Sequence, residues 1–154
     1  MTRRVATFAL ALVLSSTGIA ACSGSSGNAG GSGSGSLASA TAAAAAPAKG
    51  ATLDAAAFAA ALKRPNTVVL DVRTAAEFGE GHLPGAINID VNAADFSTKV
   101  GALDKAVPYA VYCRSGNRSA TALRIMDGLG FTQAYHLGGG IGAWTAAGGP
   151  TTTS

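Results

Sequence analysis

The sequence predicts an α/β domain whose parallel sheet is covered by helices on both faces, and three observations carry that expectation. Segments 67–72, 86–89, 109–112 and 133–137 read as strands, and helical patterns separate them. The run at 67–72 is β-branched or leucine at every position but Asp71, as suits a strand buried on both faces. Strands alternating with helices in a chain this short need crossover connections, which lay the strands parallel.

The N-terminal third stands outside that domain. Residues 1–21 read as an export signal: Arg3 and Arg4 supply the positive start, Val5 to Leu14 is almost free of polar residues, and Ile19-Ala20-Ala21 leads into Cys22. The apolar stretch is too short for a membrane span. Small residues before a cysteine resemble a bacterial lipobox, which implies that Cys22 becomes the lipidated first residue of the mature chain. The expected location is therefore the cell membrane, lipid-anchored on the extracytoplasmic side, with a secreted or periplasmic protein as the alternative. Arg3-Arg4 does not separate twin-arginine export from the general route, because either signal carries positive charge there.

Removing the signal takes two of the 11 basic residues and leaves all 8 acidic ones, so the precursor charge of +3 falls to near +1. With no basic cluster interleaved by aromatics, the chain has no electrostatic case for nucleic acid. A lipid on Cys22 would leave Cys113 as the one remaining thiol, which excludes an internal disulfide and a cysteine metal site. Residues 22–50 are glycine, serine and alanine almost throughout and read as a flexible tether of roughly 30 Å mean span.

Residues 51–150 suit one domain with a single core. Asp54 is placed to N-cap a first helix carrying Phe58 and Leu62, which Pro65 and Asn66 end. After the strand at 67–72, residues 74–78 suit a short helix, 86–89 a short strand and 95–103 a weakly amphipathic helix. Pro108 precedes the buried strand 109–112. Residues 119–129 carry Ala122, Leu123, Ile125, Met126 and Leu129 at helical spacing, with Gly128 and Gly130 to end the helix. A last strand at 133–137 and a last helix at 141–146 complete the domain, leaving 151–154 as a tail.

The chemistry concentrates in Val111-Tyr112-Cys113-Arg114-Ser115-Gly116-Asn117-Arg118-Ser119. A strand, a turn and a helix start there, so backbone N–H groups and the positive helix end converge on one point, an anion site with Cys113 at its mouth. Arg114 and Arg118 are candidates to favour the thiolate, which is the nucleophilic form. Gly116 removes a Cβ from a tightly wound loop, and Arg118 has the geometry to fork two hydrogen bonds onto an oxyanion.

These residues resemble the rhodanese-like sulfurtransferases in their single-domain form. Leu70-Asp71-Val72-Arg73 with Glu77-Phe78, then Gly81-His82-Leu83-Pro84-Gly85-Ala86-Ile87-Asn88, resembles the family's first strand and first signature. Tyr112-Cys113 through Arg118-Ser119 resembles its active loop, and Leu137-Gly138-Gly139-Gly140-Ile141-Gly142-Ala143-Trp144 with Gly148-Gly149-Pro150 its closing signature. The resemblance implies a rhodanese-like fold with a central, mainly parallel five-stranded sheet. It also implies that Cys113 takes sulfane sulfur from a donor such as thiosulfate and passes it to a thiophilic acceptor, cyanide or a thiol. Arg114, Ser115, Gly116, Asn117 and Arg118 would bind the substrate, with no metal or organic cofactor, and a monomer is expected.

Two other classes compete. Phosphatases of related fold carry a longer Cys-x5-Arg loop, and usually histidine before the cysteine; here four residues separate Cys113 from Arg118 and Tyr112 precedes it. A tethered persulfide-binding or protein-interaction module of low turnover is the other alternative. Asp71, Arg73 and Glu77 are expected to form a structural ion-pair network, His82 to serve a turn, and Trp144 to lie in the core. His136 has no partner legible in the sequence and receives no role.

Overall fold

The structure, a computed structural model, describes residues 45–154. The expected signal, Cys22 and most of the tether lie outside the described residues. The chain alternates strictly: β1 (Thr52–Leu53), α1 (Ala55–Leu62), β2 (Val68–Asp71), α2 (Ala75–Glu80), β3 (Ile87–Asn88), α3 (Phe96–Gly101), β4 (Tyr109–Tyr112), α4 (Asn117–Gly128), β5 (Ala134–Leu137) and α5 (Gly140–Ala146). The strands form one sheet in the order β1-β5-β4-β2-β3, and every pairing is parallel.

Side-chain alternation along the strands divides the core in two. Tyr109 and Val111 of β4 face a cluster with Leu70, Phe96, Val100, Ala122 and Met126, built with α3 and α4. Ala110 and Tyr112 face the opposite way, into Phe58, Ala61, Tyr135, Leu137 and Trp144, built with α1 and α5. All four β4 residues are buried, as expected of a central strand in a parallel sheet. The carboxyl ends of β2, β4 and β5 lie side by side, which is where an open parallel sheet gathers its functional loops.

Local sequence explains most of the element boundaries. Asp54 accepts from the Ala57 N–H and caps α1, and Thr74 with Glu77 forms a reciprocal capping box on α2. The helix expected at 119–129 begins two residues earlier, on Asn117, because Gly116 takes a left-handed turn at φ 98°. Gly128 stays inside its last turn, and Gly130, at φ 89°, makes the exit. The helix expected at 95–103 covers only Phe96–Gly101, and Asp95, at its N-cap, makes no side-chain capping bond.

Three features differ from the sequence expectation. The fifth strand, β1, is only two residues long, too short to register as a pattern, and pairs Thr52 with His136 and Leu53 with Leu137. The first half of β2 is only half-buried, because β3 pairs solely with Leu70 and Asp71. Residues 151–154 are no loose tail: Thr152 exchanges two backbone hydrogen bonds with His82, each 2.8 Å long.

Candidate active site

β4 carries Cys113 to the sheet's carboxyl edge, where the chain turns at once into α4. The residue is fully buried, and the Gly116 N–H donates to its Sγ at 3.1 Å while the Ser119 hydroxyl lies 3.6 Å away. Burial by itself pushes the thiol up. Hydrogen bonds from the Ser119 side chain and from the Ser119, Ser115 and Gly116 backbone outweigh it, so the net shift is downward, toward thiolate. The stabilisation expected from two arginines thus comes chiefly from the loop itself.

The loop is held from behind by the start of α5. The Ile141 N–H donates to the Cys113 carbonyl at 2.8 Å. That approach needs glycine at position 140: its φ is +58°, and an added Cβ would sit 2.3 Å from the Cys113 carbonyl oxygen. Gly116 faces the same junction, where an added Cβ would lie 3.2 Å from the Gly139 nitrogen.

An open cleft of roughly 590 Å³ lies over the loop, lined among others by Arg73, Glu77, Arg114, Ser115, Ile141 and Thr145. Arg114 and Ser115 are exposed toward it, whereas Asn117 begins α4, is exposed, and does not line it. Arg118 requires a correction. The fork expected to grip an oxyanion is filled by Glu77, with Nη1 on Oε2 and Nη2 on Oε1, both at 2.7 Å. Glu77 is available because its capping position on α2 points its carboxylate at the loop. It is therefore not part of the Asp71–Arg73 network, as the sequence suggested.

That network has another shape. Asp71, fully buried, accepts from Arg73 Nε and Nη2 at 2.9 and 2.6 Å, and from the Arg73 backbone N–H at 2.9 Å. Arg73 also donates to the Gly81 carbonyl, and Asn88 ties the Asp71 and Arg73 carbonyls together. His82 serves the turn as expected: Nδ1 donates to the Phe78 carbonyl, and its ring stacks on Phe78 at 3.7 Å between centroids. Trp144 lies in the core and donates its N–H to the Pro150 carbonyl.

The Glu77–Arg118 pair has a pH signature. The Arg118 guanidinium, against the upward push of burial and helped by Thr74, lowers the Glu77 carboxyl from 4.5 to about 2. A carboxyl lowered on folding adds stability that is complete above its ordinary range and lost as pH falls from 4.5 toward 2. The pair is partly exposed, so screening holds its contribution to about 1 kcal/mol. Chemical denaturation of Glu77→Gln is expected to show a shallower acid dependence across that window, and an unchanged slope would contradict the pairing.

His136 is the site residue that sequence reasoning missed. It sits in β5 beside Val111, and its Nδ1 lies 2.9 Å from the Ser119 hydroxyl that faces Cys113. A signal existed: Ser119 falls on the apolar face of α4, in helical phase with Ala122, Leu123 and Met126, and His136 interrupts a buried strand. Two polar residues at apolar positions each need a partner.

The sequence profile of the rhodanese-like domain matches residues 54–147, from the cap of α1 through α5 and across the whole cysteine site. The chain belongs to the rhodanese-like family. Among its relatives is the thiosulfate sulfurtransferase GlpE of Pseudomonas savastanoi pv. phaseolicola, 38% identical over 57% of this chain and 81% of that protein. A rhodanese-related protein from Thermoplasma volcanium superposes with a TM-score of 0.61 at 32% identity, covering 68% of this chain and 99% of the other. A Rhodopseudomonas palustris protein of unknown function, described as a possible tyrosine phosphatase, superposes with a TM-score of 0.56 at 27% identity, covering 67% and 85%. Family and relatives make this rhodanese-like chain an enzyme of the sulfurtransferase type. The five-stranded sheet among the described residues, all parallel, matches the implied architecture.

Proposed function

We propose that this rhodanese-like domain moves a sulfane sulfur from a donor such as thiosulfate to a thiophilic acceptor through a persulfide on Cys113. The observation that carries the reading is a buried Sγ held by the Gly116 N–H at 3.1 Å, at the start of α4. In the first step the Cys113 thiolate attacks the outer sulfur of thiosulfate; the new S–S bond forms as the old one breaks, and sulfite leaves with that bond's electron pair. In the second, cyanide or a thiolate attacks the terminal sulfur, and the Cys113 thiolate leaves. The N–H groups of Ser115, Gly116 and Ser119 support the negative sulfur in both states. Arg114 offers the donor's sulfonate a cation at the cleft, where Ser115 also stands. Arg118 and its partner Glu77 brace the loop, and Asn117 serves as the first residue of α4.

Intact-mass measurement after thiosulfate tests this directly: one added sulfur on Cys113 is expected, removable by cyanide. With four residues between Cys113 and Arg118, the loop suits one sulfur atom better than the three peripheral oxygens of a phosphoryl group. Hydrolysis of an aryl phosphate with no sulfur uptake would favour the phosphatase reading instead, and sulfur uptake without turnover the binding module.

We further propose that the domain works as a monomer held to the extracytoplasmic face of the membrane by a lipid on Cys22, with residues 22–50 as its tether. The run Ile19-Ala20-Ala21 before Cys22, with two small residues next to the cysteine, supports that reading. The mature N-terminal fragment is expected to carry a diacylated Cys22, absent in Cys22→Ser; an unmodified Cys22 in the parent would remove the proposal.

A further inference from the structure

Four side chains line up from Cys113, none of them lining the cleft over the loop. Cys113 Sγ lies 3.6 Å from Ser119 Oγ, Ser119 Oγ lies 2.9 Å from His136 Nδ1, and His136 Nε2 lies 2.8 Å from Thr52 Oγ1. Cys113 and Ser119 are wholly buried and His136 nearly so, whereas Thr52 is exposed. The row thus runs from the closed interior to solvent. It emerges beside a second cavity of roughly 310 Å³, on the α4 face of the sheet, lined by Thr52 and His136 together with Lys49, Arg124 and Asp127. These three are the charged groups among its lining residues; Lys49 pairs with Asp127, and Arg124 donates to Thr121. None of them lies between His136 and Ser119.

The Ser119 hydroxyl has one proton and three nearby acceptors: Sγ, His136 Nδ1, and the Gly116 carbonyl at 2.9 Å. Which one it serves depends on the imidazole tautomer. With the proton on Nε2, Nδ1 accepts from Ser119, whose oxygen is left to accept from the thiol. With the proton on Nδ1, that N–H donates to Ser119, and the hydroxyl is released to donate to a thiolate. We propose that His136 is a positioning residue that, through Ser119, sets the proton state of Cys113 and, through Thr52, gives the buried thiol a proton route to the second cavity, which shares no lining residue with the cleft over the loop.

The transfer balances without any outside group except water. Cys113 passes its proton to Ser119, Ser119 passes its own to Nδ1, Nε2 gives its proton to Thr52, and Thr52 releases one to solvent. One proton leaves, Cys113 becomes the thiolate, and the histidine stays neutral in its other tautomer. Burial lowers the His136 imidazole's proton affinity, which keeps it in the neutral form that the exchange needs. The reverse sequence reprotonates Cys113.

The inference rests on Cys113 being the nucleophile, and its test is separable from sulfur transfer. Thiolate formation is followed in the free domain by ultraviolet absorbance and by iodoacetamide alkylation rate against pH, with no sulfur donor present. His136→Phe is expected to raise the apparent titration of Cys113 and to slow alkylation at neutral pH roughly tenfold, because the Ser119 hydroxyl, no longer held by the Nδ1–H, turns to the Gly116 carbonyl and its hydrogen bond to the thiolate is lost. His136→Asn, which keeps an amide donor near Ser119, is expected to recover most of that loss. In a Ser119→Ala background, His136→Phe should add nothing further. An unchanged titration in folded His136→Phe, a His136→Asn variant that recovers nothing, or full additivity with Ser119→Ala, would overturn the role. A normal wild-type titration without sulfur uptake from thiosulfate would sink the transferase reading alone.

Discussion

Cys113→Ser is expected to fold as the parent does and to lose thiosulfate-to-cyanide sulfurtransfer by roughly a thousandfold or more. Cys113 is wholly buried, and the replacement is close to isosteric; the new hydroxyl can take the Gly116 N–H and lie beside Ser119, so no polar group is stranded. The chemistry has no such substitute. The loop favours a sulfur anion through N–H and hydroxyl donors, but a neutral serine oxygen neither attacks sulfane sulfur well nor stores it. Thiocyanate formation measures the loss, and a thermal melt checks the fold. A folded Cys113→Ser variant that kept a tenth of parental turnover would eliminate the persulfide intermediate.

Asp71→Ala is expected to have the largest effect on stability, about 3–5 kcal/mol, because it strands a charge that the fold has already removed from water. Arg73 and Asp71 have side-chain exposures of 6% and 0%, so neither can fall back on solvent when the other is removed. The guanidinium would keep the Gly81 carbonyl, but its ring contact over Tyr112 cannot replace a bidentate carboxylate. For a domain of about 100 residues this corresponds to a fall in Tm of roughly 15 °C or more. Replacing both partners, as Asp71→Ala with Arg73→Met, should recover much of the loss, since no unpaired charge then remains buried. A single-variant loss below about 1 kcal/mol would contradict the burial of the pair. Because Arg73 also lines the cleft over the Cys113 loop, its release is expected to weaken turnover alongside stability.

The fold was legible in the sequence wherever a segment declares itself locally. Tyr109 to Tyr112 is a strand by apolar content alone, Asp54 caps a helix through a bond spanning three residues, and both are as expected. Cys113 could be singled out for the same reason: its N–H cradle comes from the next few residues of its own chain. What could not be read lay between segments. β1 is two residues long and exists only because β5 offers it a free edge.

Charge pairing followed the same division. The sequence supplied two arginines near Cys113 and a cluster of Asp71, Arg73 and Glu77, but not which would meet which. The capping box turned Glu77 toward Arg118, 41 positions away, which filled the fork expected for substrate and left Asp71 and Arg73 to pair alone. His136 and Ser119 are 17 positions apart and gain meaning only when α4 packs across β5. The alternation of strands and helices, and the loop that cradles Cys113, were settled along the chain, as products of short-range geometry. The partners of Arg118, Asp71 and His136 were settled by packing, because hydrogen bonds and ion pairs act over a few ångströms, a distance that separation along a chain does not encode.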